Sequence, residues 1–382
     1  MTLDRVQTIA DLRARARRRV PRLAFDFLDG GAGEEVGVRE NTAGFARLKL
    51  SPRVLRDVSD RTLSVDLFGR RRSAPIGVSP IGMANALWPR TDEILAQMAQ
   101  QARIPYVLST AGTTSIERIA EVAPDSAWFQ LYVSQDDSIA LDMMRRAHEA
   151  GVSVLVLTVD VPLPGRRYRD MRNGFALPLR PSPSTILDLA ARPRWILETL
   201  RHGTPSFANY VPYARGETGG QALAAFMAGQ VSPNLGVERV RMLRDAWQGT
   251  FVVKGVLRPE DAVTAAELGA DGIIVSNHGG RQLEAAPAAI DALPGVVEAV
   301  GDRVTVMMDS GIRQGADIVK AYCLGARFVF SGRSFVYGAC AAGAEGARRA
   351  LDILTGECDQ TLGQIGCDDI NGLDTGYLWR ED

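Results

Sequence analysis

Val152–Asp160 reads Val-Ser-Val-Leu-Val-Leu-Thr-Val-Asp. The run is apolar at almost every position rather than at alternate ones. A strand covered on both faces reads this way, and such strands belong to parallel sheets. Asp271–Ser276, Asp-Gly-Ile-Ile-Val-Ser, repeats the pattern. Working outward, eight β-rich runs bounded by Gly, Pro, Ser or Asp follow in order. They are Ala74–Ser79, Pro105–Ser109, Trp128–Val133, Val152–Asp160, Thr250–Gly255, Gly272–Ser276, Val304–Asp309 and Phe328–Ser331.

Helical periodicity separates most of them, at Thr91–Gln101, Ser115–Val122, Ser138–Ala150, Pro259–Leu268, Ala292–Val300 and Gly315–Leu324. Pro294 falls in the first turn of its segment, where proline is tolerated. Gly151, Gly269 and Gly325 follow three of these helices as stops. Eight β-then-α units predict an α/β fold, a (β/α)8 TIM barrel. A doubly wound open sheet is the alternative, but it has about five or six strands, and eight favours closure. Before the barrel lies an N-terminal helical segment, Ile9–Arg18 and Arg22–Leu28, ended by Gly30-Gly31.

One interval breaks the rhythm. Asp160 to Thr250 shows no clear strand. Residues 1–382 therefore read as a single barrel with a long insertion after the fourth strand, 176–232, over the active-site face. Within it, Ala176–Ser184 is proline-rich, Ile186–Leu200 is an amphipathic run with Trp195, and Gly216–Val231 is rich in Gly and Ala. The insertion reads as a lid. Its apolar residues, flanked by Arg192, Arg194 and Arg201, also suit a peripheral membrane or partner surface through residues 186–201.

Composition narrows the field. Forty-four basic and 45 acidic residues leave a net charge of −1, which gives no footprint for nucleic acid. The four cysteines form no Cys-x-x-Cys pair, so no metal site is expected. The Arg-rich start has no apolar core of a secretory signal, and no apolar run reaches roughly eighteen residues. A cytoplasmic protein, peripheral on the inner face of the membrane, is the expectation.

Function in a barrel sits at the C-terminal strand ends. Those ends carry Gln130 and Tyr132, Thr158 and Asp160, Lys254, Ser276 and His278, Asp309, Gly311 and Arg313, and Gly332 and Arg333. A barrel without chemistry has no need of such a ring. Of three histidines, His148 reads as a surface helix residue and His202 lies in the insertion. His278 alone follows a buried strand, ahead of two glycines. An imidazole there suits proton abstraction, with Asp160 to orient it. Arg281 and Arg167 suit bidentate binding of a carboxylate. For Arg167 an ordinary surface position is the alternative, since Arg166, Arg169 and Arg172 are close by. Gly311, Arg313, Gly332 and Arg333 come from the last two strands, where barrels hold phosphate. Lys254 suits charge stabilisation on a cofactor or a Schiff base.

The strings SNHGGRQL (276–283), WFQLYV, LTVDVP, VVKG, DSGIRQGADIVKA and SGR resemble the FMN-dependent 2-hydroxy acid oxidase and dehydrogenase family, over nearly the whole chain. The resemblance implies an enzyme with FMN as cofactor, oxidising a small L/(S)-2-hydroxy acid to the 2-oxo acid. It implies flavin contacts from Pro80, Ile81, Gly82, Ser109, Gln130, Thr158, Lys254 and Ser276. Asp309, Gly311, Arg313, Gly332 and Arg333 match the ribityl and phosphate site. Tyr132, Asp160 and His278 match the catalytic set, and Arg167 and Arg281 the carboxylate clamp. Phe27 stands where the family usually has a substrate-binding tyrosine. Gly82, ALWP (86–89) and QIGCDDI (364–370) resemble the mandelate dehydrogenase branch; PGRRYRDMRNG (164–174) also resembles the L-lactate dehydrogenases. That branch implies a quinone or other electron acceptor and a homo-oligomer, a tetramer. A mandelate-like acid is the leading substrate; an L-lactate dehydrogenase, an oxygen-using oxidase and another FMN barrel enzyme, such as an isomerase, are the alternatives.

Overall fold

The structure, a computed structural model, describes residues 3–173, 182–214 and 232–379. Three helices lead in: α1 (Ile9–Arg19), α2 (Arg22–Asp29) and α3 (Val36–Arg47). A hairpin, β1 (Val65–Leu67) and β2 (Arg70–Arg72), precedes the barrel. The barrel strands are β3 (Ile76–Val78), β4 (Tyr106–Ser109), β5 (Ala127–Leu131), β6 (Val154–Thr158), β7 (Thr250–Val256), β8 (Gly272–Val275), β9 (Thr305–Met308) and β10 (Phe328–Ser331). All are parallel, and they close in chain order as β10-β3-β4-β5-β6-β7-β8-β9. The expected eight-stranded barrel is therefore observed. Every residue of β6 and of β8 is buried, as their unbroken apolar runs require.

The outer helices are α4 (Ala84–Leu87), α5 (Thr91–Gln101), α6 (Ile116–Val122), α7 (Asp137–Glu149), α8 (Tyr168–Arg172), α9 (Pro183–Ala190), α10 (Pro193–His202), α11 (Val237–Ala246), α12 (Pro259–Glu267), α13 (Ala289–Val300), α14 (Gly315–Cys323), α15 (Arg333–Ala342) and α16 (Ala344–Gln364). Side chains fill the barrel. Trp128, Phe129, Phe251, Phe328 and Phe330 are fully buried, and Trp128 packs on Phe330 at 5.5 Å between ring centroids. Gly151, Gly269 and Gly325 take positive φ after α7, α12 and α14, as their role as helix stops demands.

Two expectations change, and one helix is added. Helix α13 begins at Ala289, so Pro294 lies inside it rather than in its first turn. The buried stripe Ala289, Ile290, Leu293, Val296 and Val300 holds the helix together although Pro294 donates no hydrogen bond. The amphipathic run 186–200 is two helices, because Pro193 cannot continue α9 and instead opens α10. A helix the sequence reading did not name, α11, packs between the fourth and fifth barrel strands on Val240 and Leu243, and no strand lies there among the described residues. Residues 174–181 and 215–231, which hold the proline-rich and Gly/Ala-rich parts of the insertion, lie outside the described residues.

Candidate active site

The strand ends open into a cavity of about 360 Å³. Its walls include Phe27, Pro80, Ile81, Gly82, Ser109, Tyr132, Arg167, Lys254, His278, Arg281, Asp309, Gly311, Arg313, Gly332 and Arg333. Residues far apart in the chain thus converge on one space.

The turn after β8 holds His278. His278, Gly279 and Gly280 all take left-handed φ, at 59°, 67° and 72°. A non-glycine residue there is uncommon, and such strain concentrates at functional sites. The turn is fixed by its own amides: His278 N donates to Ser276 Oγ, Gly279 N to Ser310 Oγ and Gly280 N to Asn277 Oδ1, at 2.9–3.1 Å. His278 Nδ1 lies 3.0 Å from Asp160 Oδ1, and His278 Nε2 lies 3.1 Å from Tyr132 Oη. Burial alone would raise the Asp160 pKa, but the charge and hydrogen bond of His278, with Lys254, hold it below its ordinary value. Burial, helped by Asp160, pushes the Tyr132 phenol up. A bulge in β7 makes room for this arrangement. Gly255 has φ 104°, and a Cβ there would lie 2.6 Å from Asp160 Cγ.

Three guanidinium groups meet nearby. Arg281 Nη1 donates to the carbonyls of Phe27 and Gly30 at 2.6 and 2.9 Å. The Phe27 ring lies under Arg167 and Arg281, with centroid distances of 5.4 and 4.8 Å. Burial, with Arg167 and Arg333 close by, lowers the Arg281 pKa. Arg333 uses Nε, Nη1 and Nη2 on the carbonyls of Leu28, Gly279 and Gly30. Its guanidinium therefore ties α2 to the barrel. Its backbone N–H belongs to the first turn of α15, whose N-cap Gly332 provides no side-chain cap, so this helix terminus suits an anion.

Lys254 Nζ sits 3.2 Å from Asp309 Oδ2 and donates to Ser276 Oγ at 2.9 Å, all deeply buried. Gln130 Oε1 accepts from Ser109 Oγ at 3.0 Å. Gln130 Nε2 and Thr158 Oγ1 are buried with no partner among the described residues. Buried donors and acceptors are almost always satisfied, so these two fit the polar edge of a bound ring system. Four expected residues stand behind the cavity wall rather than on it: Asp160, Gln130, Thr158 and Ser276. Asp160 and Ser276 act on wall residues through the bonds above. Sequence reading missed Ser79, Met83, Phe207, Tyr210 and Ser310, which also line the cavity. Ser310, at φ 75°, follows the strand-end Asp309 and had that signal. Phe207 and Tyr210 come from the insertion and had none beyond the aromatic pair in FANY.

A closed parallel barrel with an uncapped helix terminus, buried unpaired polar groups and a histidine–carboxylate pair at one mouth defines an enzyme site suited to a phosphate-bearing cofactor. Residues 16–380 match the family described as FMN-dependent dehydrogenase, and the chain belongs to it; FMN is its cofactor. It is 42% identical to an (S)-mandelate dehydrogenase of Pseudomonas putida, over 98% of this chain and 94% of that one. It is 38% identical to an L-lactate dehydrogenase of Pseudomonas syringae pv. syringae, over 98% of both. A crystal structure described as the monotopic membrane protein (S)-mandelate dehydrogenase superposes with a TM-score of 0.95 at 42% identity, covering 99% of this chain and 100% of that one. The enzyme is thus an FMN-dependent 2-hydroxy acid dehydrogenase similar to the mandelate and lactate enzymes.

Proposed function

We propose that the enzyme oxidises an (S)-2-hydroxy acid with a bulky, mandelate-like side chain, with His278 as the base. The observation that carries this reading is the run Asp160–His278–Tyr132, linked at 3.0 and 3.1 Å beside Arg167 and Arg281. Arg167 and Arg281 bind the carboxylate. Tyr132 hydrogen-bonds the oxygen at C2. His278 Nε2 takes a proton, and Asp160 keeps the ring oriented and stabilises the imidazolium. When bound, FMN would supply the two-electron sink: the alcohol loses one proton to His278, and its second hydrogen and the two electrons would leave to the flavin, to be discharged to a quinone or other acceptor.

Pro80, Ile81, Gly82, Ser109, Gln130, Thr158, Lys254 and Ser276 would hold the flavin ring. Asp309, Gly311 and Arg313, with the Gly332–Arg333 turn, would hold the ribityl phosphate. Buried Lys254 would favour negative charge added to the ring. The aromatic and apolar walls Phe27, Met83, Phe207 and Tyr210 favour an aryl side chain over a methyl group.

Residues 1–382 act as one domain, with 176–232 as an insertion at the active-site mouth. Segment 186–201 makes peripheral membrane contact at the inner face of the membrane, and the protein works as a homo-oligomer, a tetramer. Exposed Ile186, Leu187, Leu197 and Leu200 support the membrane contact, as does the likeness to a monotopic relative. Among the described residues no helix is long and apolar enough to cross a membrane.

The test is a visible spectrum under anaerobic titration. (S)-Mandelate is expected to bleach the flavin far faster than lactate, and (R)-mandelate not at all. Mixing the reduced enzyme with oxygen is expected to give slow reoxidation; fast reoxidation with peroxide would make it an oxidase. Bleaching by lactate alone would overturn the substrate class.

A further inference from the structure

Two residues of the anion end of the site come from elements outside the strands. Phe27 lies on α2, and Arg167 is the N-cap of α8, a helix of only five residues. So short a helix has little stability of its own. Arg167 pairs within the helix with Asp170 at 3.3 Å, and Gly33 N donates to Arg166 O at 2.8 Å, but the side chain that joins α8 to the carboxylates of α2 is Arg169, two residues along. Arg169 Nη1 donates to Asp29 Oδ2 at 2.9 Å and lies 3.5 Å from Asp26 Oδ1, while Nη2 pairs with Glu35. All three carboxylates belong to α2 or the turn after it. Asn173, just past α8, adds a bond to Asp26 Oδ2 at 2.6 Å. Asp29 is the centre of the group: its side chain is 7% exposed, and it also takes Arg13 at 2.5 and 2.8 Å and the Tyr337 hydroxyl at 2.7 Å. Arg169 does not line the cavity.

From this geometry we infer that Arg169 is a positioning residue for substrate binding, clamping α8 to α2 so that Arg167 and Phe27 meet at the carboxylate end of the cavity. The inference rests on the reading of Arg167 and Arg281 as the carboxylate site. One planar fork reaching three carboxylates fixes direction as well as distance, which a lysine cannot do. Arg13 is the built-in contrast. It grips the same buried Asp29 but from α1, and it touches nothing on α8.

The experiment uses the FMN-loaded enzyme and reads the Kd of benzoylformate, the 2-oxo acid of mandelate, from its perturbation of the flavin spectrum. KM, kcat and melting temperature are measured alongside. Arg169→Met is expected to weaken benzoylformate binding and raise KM by about 10- to 100-fold, with kcat and flavin content within about twofold of the parent. Arg13→Met is expected to lower the melting temperature and leave Kd unchanged. Arg169→Lys, the milder variant, should fall between Arg169→Met and the parent. An unchanged Kd in Arg169→Met or Arg169→Lys overturns the inference. So does an equal loss of affinity in Arg13→Met, because the effect would then follow stability alone. Arg281→Met separates the two levels. If it binds benzoylformate normally, the carboxylate-site reading itself fails and takes the inference with it; if only Arg281→Met weakens binding, the clamp alone is wrong.

Discussion

Two segments outside the barrel repeat reach its active-site face, and they are built in opposite ways. Helix α2 buries six of its eight residues, Leu23, Ala24, Phe25, Asp26, Leu28 and Asp29. Helices α9 and α10 bury none of theirs. The two segments touch, through Arg22 N donating to Asp188 Oδ2 at 2.6 Å and Arg192 Nε donating to Val20 O at 3.2 Å. Yet α2 is fixed by charge: Arg13, Arg169 and Tyr337 converge on Asp29, and Arg281 and Arg333 hold its C-terminal carbonyls. The outer face of α9 and α10 instead presents Ile186, Leu187, Leu197 and Leu200 to the outside. One addition completes a cavity; the other leaves a surface. An addition that shapes the site must be buried and paired, and one that meets a partner must stay uncovered.

The largest expected effect checks that neither addition carries the chemistry. His278→Ala should keep its flavin colour and lose about 10²- to 10⁴-fold in turnover, read by anaerobic flavin reduction. Rapid reduction would move the base elsewhere and undo the assignment of chemistry to the barrel rim.

A second change breaks the buried side of the contrast. Asp29→Asn should destabilise the fold by about 1–3 kcal/mol, because it weakens the bonds to Arg13, Arg169 and Tyr337, while half-exposed Arg13 regains water and Arg169 keeps Asp26 and Glu35. Burial alone would raise the Asp29 pKa, but Arg13, Tyr337 and Arg169 together hold it far below the usual carboxylate range. A pKa lower in the folded than in the unfolded chain contributes stability above the unfolded value of about 3.9, and that contribution is lost as pH falls through the folded value. Thermal melts from neutral pH downward should therefore show the parent losing its advantage over Asp29→Asn on acidification. A constant gap would mean that the carboxylate charge is not what holds α2.

The smallest effect on stability belongs to the exposed side. Leu187→Gln with Leu200→Gln should leave unfolding within about 0.5 kcal/mol of the parent. Co-sedimentation with lipid vesicles should nonetheless drop sharply. Unchanged sedimentation would place the membrane surface somewhere else.

The barrel was legible because its strands are buried on both faces and so announce themselves as unbroken apolar runs, β6 most plainly. Helix α11 was not: Val237, Val240 and Leu243 stand at helical spacing, but five charged residues among ten surround them and only Val240 and Leu243 are buried, so the apolar stripe is narrow. Helices α15 and α16 were hidden for another reason. They approach so closely that a Cβ on Gly338 would lie 2.3 Å from Gly346 O, and contacts made by glycine and alanine show little periodicity. Strand-end residues such as His278, Lys254 and Asp309 could be read from position alone. Phe207, Tyr210 and the Arg169 clamp could not, since each depends on how non-repeating segments fold back over the mouth.

The turn at His278–Gly280 has one more consequence. Its three amides are all engaged, and its backbone is already confined to a region that few residues visit. When substrate arrives, this part of the protein has little freedom left to surrender. The ordering was completed during folding, so the favourable contacts with an incoming acid go to affinity and alignment rather than to quieting the loop.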